Sequence, residues 1–255
     1  MSEVSSIRVL RGARPIPRPL EPIAGYAFHV VTPKPSHVRG PAFGPEPTTT
    51  RSRWGYRTYD CIPAAVGRFA NTDLLIAGGL NGRPDVTVVG ALQACLPDLN
   101  EALSHLDPDS VGEGGSPPFW ELERDQIADP EPDTHGWWLS RAWWVLMRQR
   151  SIGPAITHKT LHHKRPRLWP LLDNPTLKRF DEMAWPAIHD QLTRQRDEWS
   201  RLEDDFESLT KTHGGVALTR LRLYDILLWL DTAGELADAR RKGRKVLAGL
   251  DVKPM

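Results

Sequence analysis

The chain has 255 residues, is 40% hydrophobic and carries a formal charge of +1, with ten tryptophans. That length buries one large core or two small ones, and a near-neutral total gives no argument for a polyanionic partner. Cys61 and Cys95 are too few for a disulfide framework or a thiolate metal site, no run approaches the roughly 18 apolar residues of a membrane span, and no apolar stretch follows a basic start, so a cytoplasmic protein without a membrane partner is expected.

Charge is unevenly distributed. Residues 96–135 hold eleven acids and one base, Arg124, whereas residues 141–180 hold nine bases and one acid, Asp173. Such asymmetry implies opposed faces, one of them suited to polyanions. The first 50 residues hold nine prolines between Pro15 and Pro47, interleaved with Arg8, Arg11, Arg14 and Arg18. This spacing forbids a regular helix, so residues 1–50 read as an extended, proline-rich basic arm that lies on the body or is partly disordered, either a nucleic-acid-following arm or an ordinary solvated tail. Residues 51–255 read as the helical domain.

After Pro63, Asn71 or Thr72 caps a helix through Leu74 and Ile76, and Asn81-Gly82 makes a turn. Asp85 caps the next, which presents Val88, Leu92 and Leu96, breaks or kinks at Pro97 and resumes through Leu99, Leu103 and Leu106. Residues 107–118 are an acidic, glycine- and proline-rich loop, and a short helix with Trp120 and Leu122 follows. Trp137–Arg150 is the most apolar helix; Arg141, Trp144 and Arg148 form its one stripe that is not plainly core. Further on, Ile188, Leu192, Trp199, Leu202, Phe206 and Leu209 predict one long amphipathic helix ended by Gly214-Gly215. Val216–Asp231 and Glu235–Leu250 are the last two helices, the final one with a solvated basic face.

The centre of the chain carries the chemistry. A corner at Ser151, Ile152 and Gly153 follows an apolar helix, and Pro154 suits the first position of the next. Free amides at that second helix's start favour a phosphate, and Lys159, Lys164, Arg165 and Arg167 on the following turns supply positive charge. The alternative is a solvated basic surface. His158, His162 and His163 lack a spaced third ligand for a metal and read as exposed; no metal or other cofactor is expected. Asp173 has two readings, an N-cap or a carboxylate facing a phosphate-lined groove. Asp225, alone among apolar residues, is expected to pair in the interior with Arg222.

These residues resemble the helix-hairpin-helix DNA glycosylases of base-excision repair, which have a Gly-apolar-Gly hairpin, a small residue four positions on and a catalytic Asp about twenty residues after the second glycine. Gly153, Thr157 and Leu161 fall on that register, and Asp173, preceded by Pro170-Leu171-Leu172, lies 20 residues after Gly153. Ser151 replaces the first glycine, and Ala155 stands where bifunctional members place a Schiff-base lysine. The segments Lys164-Arg165-Pro166-Arg167-Leu168 and Leu221-Arg222-Leu223-Tyr224-Asp225 also resemble an uncharacterised bacterial family of unknown function, from about residue 60 to 230.

The resemblance implies an all-α, two-lobed helical bundle containing a helix-hairpin-helix, with the lobes meeting at a groove behind the arm. It implies binding to double-stranded DNA and monofunctional base removal with Asp173 as the catalytic carboxylate. The alternatives are a non-catalytic nucleic-acid-binding module of the same fold, or a helical protein-interaction domain.

Overall fold

The computed structural model describes residues 4–31, 51–52, 54–63, 67–77, 80, 85–106, 116–181 and 183–249. Most of the expected acidic loop, the Asn81-Gly82 turn and residues 32–50 of the expected arm lie outside them. Among the described residues, helix dominates and strand is confined to two-residue pieces.

The arm expectation is corrected over residues 4–31. Strands β1 (Ser6–Ile7) and β2 (Ile16–Pro17) pair antiparallel, and α1 (Leu20–Phe28) follows, buried along almost its whole length. The prolines do not prevent it: Pro19 is the N-cap and Pro22 lies in the first turn, where a missing N–H costs nothing. Val4, Ile7, Val9, Ile16, Ile23 and Phe28 join the same buried core as Leu227 and Val246. Gln195 holds the Arg8 backbone through its N–H and carbonyl, both at 2.8 Å. The core is continuous from Val4 to Val246, so the two lobes expected share one interior.

Strands β3 (Val30–Val31) and β4 (Arg51–Ser52) pair antiparallel, and a π-helical turn over Tyr56–Asp60 follows. Helices α2 (Asn71–Ala77) and α3 (Val86–Leu106) come next. Asp85 accepts from the Val88 N–H at 3.0 Å, the cap the sequence implies. Helix α3 runs on through Pro97 and buries Leu92, Leu99, Leu103 and Leu106 in one register, so no break occurs there.

A 3-10 turn (Phe119–Glu121), α4 (Arg124–Ala128) and α5 (His135–Met147) lead into a tight turn over residues 148–153, then α6 (Pro154–Lys164) and the four-residue α7 (Asn174–Leu177). The single long amphipathic helix expected is two, α8 (Ala184–Arg194) and α9 (Arg196–His213), divided at Gln195, whose backbone leaves helical geometry where its side chain turns to Arg8. Gly214, with φ +73°, ends α9.

Helices α10 (Arg220–Thr232) and α11 (Leu236–Leu247) complete the fold. Helix α1 crosses α11 at glycines on both sides. A Cβ on Gly25 would lie 2.0 Å from the Ala239 carbonyl oxygen, and one on Gly243 would lie 1.6 Å from that of Glu21. No described helix is long and apolar enough to cross a membrane.

Candidate functional site

A cavity of about 500 Å³ opens where α1, the π-helical turn, α6, the start of α7 and α10 converge. Helix α10 contributes Arg222, Asp225, Ile226 and Trp229, a spacing of three, four and seven that puts them on one face. Helix α6 contributes Ala155 and Lys159, one turn apart. Tyr26, Trp54, Gly55, Thr58, Leu80 and Leu171 fill the walls, and Asp173, Asn174 and Pro175 close the side nearest α7. Tyr26 and Trp54 stack with centroids 6.0 Å apart and planes 13° from parallel, and Trp229 adds a third ring to the lining.

Asp173 does both things its position allows. Its Oδ1 accepts from the Thr176 N–H at 3.0 Å and hydroxyl at 2.9 Å, while Thr176 Oγ1 receives the Asp173 N–H, a complete capping box. The same residue lines the cavity, and both cap bonds fall on one oxygen, Oδ1.

Beneath the cavity one guanidinium serves two carboxylates. Arg222 donates from Nε and Nη2 to Asp60 at 2.6 and 2.8 Å, from Nη1 to Asp225, and from Nη2 to the Tyr26 hydroxyl at 2.7 Å. The expected Arg222–Asp225 pair is therefore present, with Asp60 as a further partner. Burial pushes the Asp225 carboxyl up to about 7, against the pull of Arg222 and with a further push from Asp173. Burial likewise raises Asp60 and Tyr26. Lys159 reaches this cluster from α6, donates to the Leu80 carbonyl and is lowered by burial, while Asp173 and Asp225 oppose that shift.

The basic surface expected on α6 is corrected. Lys164 is 1% exposed; its Nζ donates to the Arg68 carbonyl, lies 3.4 Å from Asp73, and is lowered by burial. Lys159 is 7% exposed and its amine belongs to the cavity. Arg165 is half-buried and donates to the Lys164 carbonyl, while Arg167 is exposed, its guanidinium 5.9 Å from the Trp120 ring. A helix this enclosed cannot lay its lysines along a phosphate backbone.

The three histidines are corrected too. All are buried, and His158 Nδ1, His162 Nδ1 and His163 Nε2 meet the carbonyls of Pro170, Trp169 and Ile62 at 2.9, 2.7 and 2.9 Å. Burial lowers His158 to about 4 and His162 to about 3. His158 and His162 anchor α6 to the segment leading to Asp173, and His163 ties it to Ile62. No cluster with metal-binding composition occurs among the described residues.

In the turn, Ser151 is half-buried, Ile152 buried and Gly153 exposed. Gly153 has φ −89°, ψ 171°, which any residue adopts, and nothing lies within 4 Å of an added Cβ. The corner conformation does not require glycine. Exposed Arg148 and Arg150 lie in this turn, and exposed Lys178 follows α7, so positive side chains lie close in sequence to both Ala155 and Pro175 of the cavity lining.

The residues that line the cavity fall within a matched family region, apart from Tyr26. The chain belongs to a family of unknown function, DUF6308. The match covers residues 43–232, most of the chain and all of α2 to α10. No curated protein and no solved structure matches the chain.

Sequence reasoning missed Tyr26, Trp54 and Asp60, which lie more than 90 residues from Asp173 and carry no local spacing signal. Lys159, basic by composition, lies on the cavity side of α6 and not on a solvated face. Trp229 and Asp225 had a signal in the spacing of α10, which marks one face but not whether that face meets core or cavity.

Proposed function

We propose that this DUF6308 protein binds double-stranded DNA around the α5–α6 turn and hydrolyses the N-glycosidic bond of a modified or damaged base turned out into the cavity, with Asp173 as the catalytic carboxylate. The observation that carries this reading is the place of Asp173. It lines an aromatic-walled cavity that also includes Ala155, on the first turn of the helix that follows the hairpin-like corner. The volume of about 500 Å³ lies in the roughly 300–1,000 Å³ range of small-molecule sites, and stacked aromatic walls with polar groups on one side suit a flat heterocycle. The register of Gly153, Thr157, Leu161 and Asp173 that resembles the helix-hairpin-helix glycosylases supports the same assignment.

In this reading the Asp173 carboxylate stabilises positive charge developing at the sugar and orients the attacking water. DNA is held by the turn amides at Gly153 and by Arg148, Arg150, Arg167 and Lys178, not by Lys159 and Lys164. The test is incubation with duplexes carrying a panel of damaged or modified bases, followed by alkali to reveal abasic sites. Strand breaks with wild type at one or more lesions support the enzyme.

A non-catalytic DNA-binding module is the second reading, favoured by the complete capping box between Asp173 and Thr176, which is what a purely structural Asp makes. It yields no breaks across the panel while binding persists.

A further inference from the structure

The cavity holds two carboxylates, and base release through Asp173 uses one of them. Breaking an N-glycosidic bond sends the bonding electron pair to a base nitrogen, so an uncharged base leaves as an anion unless a proton reaches it. An N-alkylated, cationic base leaves neutral without one. The site therefore needs an acid for the first kind of substrate and not for the second.

Asp225 has the surroundings of that acid. It is buried on α10, its Oδ2 receives Arg222 Nη1, and Oδ1 is the oxygen that remains. Arg222 is shared with Asp60, so the Asp60–Arg222–Asp225 cluster by itself carries one negative charge in excess, away from water. The groups that face it are Arg222 on its own helix, Asp60 and Tyr59 from the π-helical turn, Tyr26 from α1, Lys159 from α6 and Asp173 ahead of α7. Burial, Asp173 and Asp60 favour the protonated form and Arg222 the ionised one, which leaves the carboxyl titrating at about 7. Two carboxylates in one cavity with different environments divide acid and charge-stabilising roles.

We propose that Asp225 is the acid of the cavity and delivers a proton to the departing base, an inference that rests on the base-release reading. As the C1′–N bond breaks, the electron pair goes to the base nitrogen and the Asp225 proton joins it. Water adds to C1′ and passes a proton to Asp173. Loss of that proton to solvent and uptake of one by Asp225 restore both groups, with one water consumed.

The experiment compares duplexes containing uracil or hypoxanthine with one containing 7-methylguanine. Asp225→Asn should slow release of the uncharged bases by about 100-fold more than release of the cationic base, whereas Asp173→Asn should slow both kinds alike. With wild type, release of the uncharged bases should fall as pH rises above about 7, and release of 7-methylguanine should lack that fall. The wild-type comparison decides the matter if Asp225→Asn does not fold. Equal losses for both kinds, or no fall with pH for the uncharged bases, overturn the assignment, as does release confined to the cationic base. Absence of release from these three duplexes and from the whole lesion panel defeats the base-release reading itself.

Discussion

Arg222 grips Asp60 with two bonds, at 2.6 and 2.8 Å, across 162 residues of chain, and both side chains are almost wholly enclosed. This pair ties the π-helical turn to α10 directly under the cavity, and the third bond to Asp225 makes Arg222 a cation shared by two carboxylates. Removing the guanidinium strands two buried acids. Arg222→Ala should therefore lower stability by about 3–5 kcal/mol in urea unfolding, and Arg222→Lys should not restore it, because an ammonium lacks the forked donor geometry. A loss under about 1 kcal/mol would show that the cluster is open to water.

DNA binding and the buried lysine should separate. Lys164→Met removes an enclosed ammonium beside Asp73 and should reduce stability while leaving the slope of log affinity against log salt unchanged. Changing Arg148, Arg150 and Arg167 together to Ala should flatten that slope by up to about 2.7 units, one phosphate contact for each arginine. A changed slope for folded Lys164→Met would contradict the burial of α6.

The crossing of α1 and α11 gives a contrast among glycines. Gly25→Ala and Gly243→Ala place a Cβ within 2.0 Å of backbone carbonyl oxygens and should cost at least about 1–3 kcal/mol each, or prevent folding. Gly153→Ala meets nothing and should leave the melting temperature unchanged. Equal melting temperatures for all three would place the N-terminal segment outside the core.

Acid should weaken the fold through its buried histidines. His162 is lowered from 6.5 to about 3 and His158 to about 4, so the unfolded chain binds protons that the folded chain refuses. Their contribution is present above about 6.5 and is lost as pH falls toward 4. Asp225, raised to about 7, acts in the opposite sense, since the folded state holds its proton where the unfolded state has released it, and that contribution is lost as pH rises through 7. His162→Gln should flatten the pH dependence of stability between pH 6 and 4.5 by about 1.4 kcal/mol per unit relative to wild type. Parallel curves would mean that His162 titrates normally.

Signals in the sequence are legible where they act over one helix. Asp85 caps α3, Pro154 opens α6, Gly214 ends α9, and Asp225 pairs with Arg222, each a relation within a few residues. Long-range packing was not legible. The prolines around α1 look like breakers until Pro19 and Pro22 are seen at its start, and nothing near Gln195 announces that it turns to Arg8, 187 residues away. The lysines and histidines of α6 are polar by composition, and the carbonyls of Leu80, Arg68, Pro170, Trp169 and Ile62, with the Asp73 carboxylate, make it possible to bury them. Asp173 stands at a helix start, as its neighbours Asn174 and Pro175 signal, but the cavity it lines is built from residues as distant as Tyr26 and Trp229.

The most direct measurement is base release by wild type and Asp173→Asn on the lesion-bearing duplexes, with DNA affinity measured on the same proteins. Asn retains the cap, so the variant should fold and bind DNA as well as wild type or better, while base release falls by about 100-fold or more. Base release by Asp173→Asn at the wild-type rate would contradict the central claim and leave Asp173 as the cap of α7.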